Sequence, residues 1–120
     1  CISPMIDARR QQVYTGLFAT GDGWVKALRP ETVGSSADWL KSITEPCTFV
    51  GDGSEMYFQT IKALLPGHRV IRSDNVILTE LCELSYRSYI RGESLAAAEL
   101  KANYIRPSDA ELGPPPPSFS

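Results

Sequence analysis

At 120 residues the chain is long enough for one modest hydrophobic core and too short for two. Its 12 lysines and arginines against 14 acids leave a formal charge of −2, so no overall basic field concentrates polyanions, and strong direct nucleic-acid binding is disfavoured. No apolar run approaches the roughly 20 residues of a membrane helix, and Cys1, Cys47 and Cys82 cannot all pair within the chain and show no Cys-x-x-Cys spacing, which points to a reducing, cytoplasmic setting without a membrane anchor.

Residues Ile2 to Ile6 read as a first strand and Val13 to Ala19 as a second, joined through a polar turn. In the second strand Val13, Thr15, Leu17 and Ala19 share one face, and Tyr14, Gly16 and Phe18 the other. Both faces are largely apolar, so the strand is expected to be central and covered on each side. Thr20-Gly21-Asp22-Gly23 supplies a tight hairpin, and a third strand is expected over Trp24 to Leu28. Three strands in a meander make an antiparallel sheet.

After Pro30 the period becomes helical: Ser35 or Ser36 can cap a short helix whose inner side is Trp39, Leu40 and Ile43. Cys47 to Val50 is a compact strand, followed by the turn Gly51-Asp52-Gly53-Ser54 and a helix carrying Tyr57, Phe58, Ile61, Leu64 and Leu65 up to Pro66-Gly67. His68 to Ile71 is a further short strand. Ser73, Asp74 or Asn75 can then cap the longest helix, about Val76 to Arg91, whose face of Leu78, Leu81, Cys82, Ser85 and Tyr89 is expected to pack on the sheet. A short extended segment, Tyr104 to Arg106, is expected to clip the C-terminal end onto the sheet, and residues 113–120, with four consecutive prolines, form a tail. This order of elements describes an α/β domain with a mixed sheet and helices packed on it.

Few residues combine into chemistry. Asp7, Arg9 and Arg10 cluster at a hairpin rim, where arginine forks could hold phosphate; an acid–arginine pair that fixes the hairpin register is the favoured reading, since the single carboxylate lacks a catalytic companion. Gly51-Asp52-Gly53-Ser54 has the geometry of an anion loop but neither the lysine of a P-loop nor dinucleotide spacing, so a plain strand-to-helix turn is favoured. His68 is the only histidine, without partners at metal-ligand spacing and without a nucleophile elbow nearby. No catalytic residue, metal or cofactor is therefore assigned. Tyr14, Phe18, Trp24, Trp39, Tyr57 and Phe58 are spaced for core filling rather than base stacking. Tyr104 and Arg106 sit near the tail, where Arg106 could face a partner protein.

The opening Pro4-Met5-Ile6-Asp7-Ala8-Arg9-Arg10-Gln11-Gln12-Val13-Tyr14 and the closing Asn103-Tyr104-Ile105-Arg106-Pro107 together resemble the C-terminal half of the TsaB (YeaZ-type, glycoprotease-like) family of bacterial tRNA threonylcarbamoyladenosine biosynthesis. The Val50-Gly51-Asp52-Gly53 turn is similar to one in that family, while the absence of a proline close before Tyr104 departs from many relatives. The resemblance implies the second of two RNase H-like half-domains of the actin-like ATPase superfamily. Residues 1–112 would form it, residues 113–120 the flexible tail, and the N-terminal half-domain would be absent from this chain.

The resemblance further implies a non-catalytic scaffold. TsaB proteins support TsaD, which transfers threonylcarbamoyl to the adenosine beside the tRNA anticodon, with TsaE as the ATPase. No catalytic role carries over to Asp7, Arg9, Arg10, Tyr14, Tyr104 or Arg106, which stand as structural or partner-contact residues. The family's TsaD contact lies mainly on the N-terminal half, so weak or no TsaD binding is expected of this chain, together with a tendency to homodimerise through uncovered apolar surface. The alternative is an ATP-binding kinase or hydrolase half-domain of the same superfamily, whose phosphate loops would have to come from elsewhere. The proline tail could also lead to a further domain, such as the acetyltransferase fused to some relatives.

Overall fold

The computed structural model describes residues 1–73 and 76–107, so the expected tail and the capping roles of Asp74 and Asn75 lie outside the described residues. Strand β1 (Ile2–Asp7) is followed by β2 (Gln12–Gly21) and β3 (Trp24–Ser35), helix α1 (Ser36–Lys41), β4 (Thr48–Val50), α2 (Asp52–Met56), α3 (Phe58–Leu64), β5 (Arg69–Ile71) and α4 (Leu78–Ile90). The five strands form one sheet in the order β3-β2-β1-β4-β5. β1–β2 and β2–β3 are antiparallel, whereas β1–β4 and β4–β5 are parallel. The mixed sheet with helices on it is the architecture expected from the alternation of elements.

Strand register sorts the side chains. The pairs Met5↔Thr15, Asp7↔Val13 and Ser3↔Phe49 place Ser3, Met5, Val13, Thr15, Leu17 and Phe49 on one face. There they meet Leu40 of α1, Ile61 of α3 and the following Ile43 in a single buried cluster. Two polar side chains are sealed into it: Ser3 Oγ lies 3.1 Å from Thr15 Oγ1 and accepts from Trp39 Nε1 at 3.0 Å. Every polar atom of that trio has a partner, which is what makes their burial tolerable.

The opposite face carries Ile2, Pro4, Ile6, Tyr14, Phe18 and Val50, and Ile6 is 53% exposed. Among the described residues no helix packs across it, which corrects the expectation that β2 is covered on each side. The reason lies in α4, whose apolar residues were expected on the sheet: Leu78, Leu81 and Leu84 are all exposed, and no α4 residue is buried. The helix is held instead at the tip of the β2–β3 hairpin, where Arg87 Nη1 donates to Gly23 O at 2.8 Å and the Arg91 guanidinium stacks 3.8 Å over the Trp24 ring. Its start at Leu78, with Ile77 as the flanking residue, also places Ser73 too far upstream to cap it.

Three further differences have local causes. β3 runs on to Ser35 rather than stopping at Leu28, because it is an edge strand whose outer side tolerates a proline without an N–H at position 30. The predicted single helix after Gly53 is two, α2 and α3, divided at Tyr57. The aromatic core is Phe49, which is fully buried; Trp39 and Tyr57 pack at its margin, and Phe58 is 39% exposed.

Candidate partner-facing rim

The carboxyl ends of β1 and β4, which run parallel and adjacent, bring the β1–β2 turn beside the β4–α2 turn. Asp7 closes the first turn from within: its Oδ1 accepts from Arg9 N at 2.9 Å, and its Oδ2 lies 3.7 Å from Arg9 Nε. The Arg9 side chain is 88% exposed, so this ion pair contributes little energy and serves mainly as a geometric restraint. Ala8 N donates to Gln12 O at 3.0 Å and Gln12 N to Arg9 O at 2.9 Å, completing the loop.

The backbone within that loop is strained. Arg9, Arg10 and Gln11 have φ of 64°, 53° and 61°, three consecutive non-glycine residues in the left-handed region. That conformation costs roughly 1–2 kcal/mol per residue because Cβ crowds the following carbonyl. It points Arg9, Arg10 and Gln11 into solvent as one exposed group. Replacing Arg10 by glycine relieves one such residue at the cost of about 0.5–1 kcal/mol of added chain entropy. Arg10→Gly is therefore expected to raise the urea midpoint by the equivalent of up to about 1 kcal/mol. A loss of more than about 0.5 kcal/mol would mean that the Arg10 side chain itself holds the turn.

The second turn is tied to the first through Asp52, whose Oδ1 accepts from Asp7 N at 3.1 Å and from Gly53 N at 2.7 Å. Ser54 N and Glu55 N both donate to Gly51 O, and Ser54 Oγ donates to the same oxygen at 2.7 Å. These N–H groups are engaged within the turn, so the loop acts here as a brace between two strands. Asp52 is the residue whose role the sequence did not single out, and the only signal for it was an acid at a helix start.

The remaining predicted residues lie at the open-face side of the rim. Arg106 hydrogen-bonds Gln12 Oε1 through Nη2, and its guanidinium sits 5.5 Å from the Tyr14 ring centroid. Together with Ile6, Asn103, Tyr104 and Ile105 they border a shallow hollow of about 310 Å³. Tyr104 is 85% exposed, so the C-terminal segment is attached through Arg106 and not through the tyrosine. His68 stands apart at the other end of β4, with Nε2 3.0 Å from Glu45 O. Among the described residues no three of His, Cys, Asp and Glu group closely enough to hold a metal ion. None of the described helices is long and apolar enough to cross a membrane.

No family model matches the chain. Over 67 residues it is 39% identical to the tRNA threonylcarbamoyladenosine biosynthesis protein TsaB of Bacillus subtilis, a match covering 53% of this chain and 29% of that protein. Its fold aligns with the crystal structure of an uncharacterized protein with similarity to the peptidase YEAZ from Pseudomonas aeruginosa at a TM-score of 0.64 and 21% identity. That alignment covers 88% of this chain and 49% of the other, so the chain spans about half of its structural relative. At this identity the structural likeness speaks for the fold alone.

Proposed function

We propose that the chain, similar over 67 residues to a TsaB protein and in fold to a YEAZ-like one, is the non-catalytic, RNase H-like half of a TsaB/YeaZ-type scaffold that supports TsaD in forming N6-threonylcarbamoyladenosine next to the tRNA anticodon. The observation that carries this reading is the 39% identity to a TsaB protein over 67 residues. The rim adds support of a physical kind. Its carboxylates, Asp7 and Asp52, are occupied in holding backbone N–H groups, which is structural work, while Arg9 and Arg10 stand outward on a strained turn. Backbone strain of this kind clusters at functional sites. We place the working protein in the cytoplasm, with TsaD and TsaE as its partners, and assign no cofactor to it.

The test is complementation. The protein expressed from its own gene, introduced into bacteria depleted of TsaB, is expected to restore threonylcarbamoyladenosine in bulk tRNA, and the double variant Arg9→Ala, Arg10→Ala to restore less of it at equal folded abundance. The 120-residue chain by itself is expected to bind TsaD weakly or not at all by titration calorimetry and to hydrolyse no ATP. Failure to restore the modified nucleoside, or turnover of ATP by the purified chain, would replace this reading with that of an ATP-dependent enzyme half-domain.

A further inference from the structure

The sheet continues one residue beyond β1 and β4 and brings two cysteines face to face. Cys1 N donates to Pro46 O at 3.1 Å, and Cys1 O accepts from Thr48 N at 2.9 Å. Two bonds from one residue to the neighbours on either side of another are the signature of a parallel pair, so Cys1 stands directly opposite Cys47, in line with Ile2↔Thr48 and Ser3↔Phe49. Adjacent strands lie about 4.8 Å apart, within the roughly 4.4–6.8 Å Cα separation that a disulfide spans. Alternation along each strand puts both side chains on the helix-covered face, Cys1 with Ser3 and Cys47 with Phe49. Both pack against the same apolar cluster, Cys47 fully within it and Cys1 half-buried at its margin.

Neither thiol is committed elsewhere by a strong interaction. Cys1 Sγ donates to Pro46 O at 3.2 Å and Cys47 Sγ to Thr48 O at 3.7 Å, both weak bonds to carbonyls. Cys82 is exposed on α4, outside the cluster that holds this pair.

We propose that Cys1 and Cys47 are a redox pair, closed to an intramolecular disulfide by exchange with a small-molecule disulfide such as oxidised glutathione. Cys1, the accessible member, loses its proton to solvent and its thiolate attacks one sulfur of glutathione disulfide, releasing one glutathione thiolate that takes up a proton. Cys47 then gives up its proton and attacks the Cys1 sulfur of the mixed disulfide, releasing the second glutathione. The protein dithiol is oxidised by two electrons and one glutathione disulfide is reduced to two thiols. The order follows from burial, which shields Cys47 from solvent and pushes its thiol up, so Cys1 attacks first and Cys47 reacts only once the mixed disulfide lies next to it. The new bond closes into one loop the chain from β1 through α1 to β4, and so restricts the unfolded chain more than the folded one.

The experiment equilibrates the whole chain in glutathione buffers from fully reduced to fully oxidised, blocks free thiols with an alkylating agent and maps the peptides by mass spectrometry. Expected on the oxidised side is one alkylated thiol of the three, at Cys82, with a peptide linking Cys1 to Cys47, the mass of one hydrogen molecule lost, and a higher urea midpoint than the reduced chain. Cys82→Ser, a change on an exposed helix position, is expected to leave that link intact. Three alkylated thiols throughout, a glutathione adduct that persists on Cys1, or links that run through Cys82 would each overturn the proposal.

Discussion

Gly51→Ala is expected to destabilise the domain by at least about 3 kcal/mol, a large share of the roughly 5–15 kcal/mol that holds a small domain folded. Gly51 has φ 104° and ψ 168°, a region open in practice only to glycine. A Cβ there would stand 2.5 Å from Met5 O and 3.3 Å from Met5 C. Those are backbone atoms of β1, which cannot retreat without disturbing its pairing with β2 and β4. Strain and collision therefore add. Gly53 meets the same wall, with Met5 C and O both 2.9 Å from its would-be Cβ, but without the positive φ, so Gly53→Ala should cost less than Gly51→Ala. Gly67→Ala is the control: nothing lies within 4 Å of its Cβ position, and a change within about 0.5 kcal/mol is expected. Urea denaturation of the three variants is the measurement. If Gly51→Ala stays within about 1 kcal/mol of the parent chain, the close approach of the β4–α2 turn to β1 is not what holds the rim together.

Phe49→Ala is expected to cost about 3–5 kcal/mol, the range for emptying a large aromatic site in a core that cannot collapse around it. Phe49 is fully buried on the middle residue of β4, between Ser3 of β1 and Val70 of β5 in the ladder, with the His68 ring centred 6.0 Å away. β4 and β5 are only three residues each, so the sheet has little hydrogen bonding there to survive without the side chain. Loss of this ring should loosen the β4–β5 end first, visible as faster amide exchange at Val70 and Ile71 than at Val13 and Leu17. Phe49→Met keeps most of the volume and is expected to cost no more than about 1.5 kcal/mol. Equal stability of the alanine and methionine variants would show that the cavity is filled by rearrangement, and that Phe49 is not the keystone its burial suggests.

The rim and the sheet were legible in the chain to different degrees. Period-two alternation with a polar turn located β1 and β2, Asp22-Gly23 the hairpin, and Val50 followed by glycine the β4–α2 turn, because each of these is settled within a few neighbouring residues. Of the site, the sequence pointed to Asp7, Arg9, Arg10, Tyr14, Tyr104 and Arg106. It did not foresee that Asp52 bridges to Asp7 N, since residues so far apart meet only through the parallel pairing of β1 with β4. The left-handed run at Arg9 to Gln11 was equally hidden, because none of these side chains favours that conformation and closure from both sides imposes it.

What the sequence alone determined is the order and type of most elements, the turns that glycine permits, and the apolar character of both sheet faces. What the tertiary structure decided is which face α1 and α3 cover, that β3 extends past its proline as an edge, that α4 rests at the β2–β3 hairpin tip on Trp24 and not across a face of the sheet, and that Cys1 meets Cys47. The division has one physical cause. A local pattern states how apolar a surface is, but its coverage depends on contacts between distant segments, whose competition is decided only when the whole chain has closed around a core.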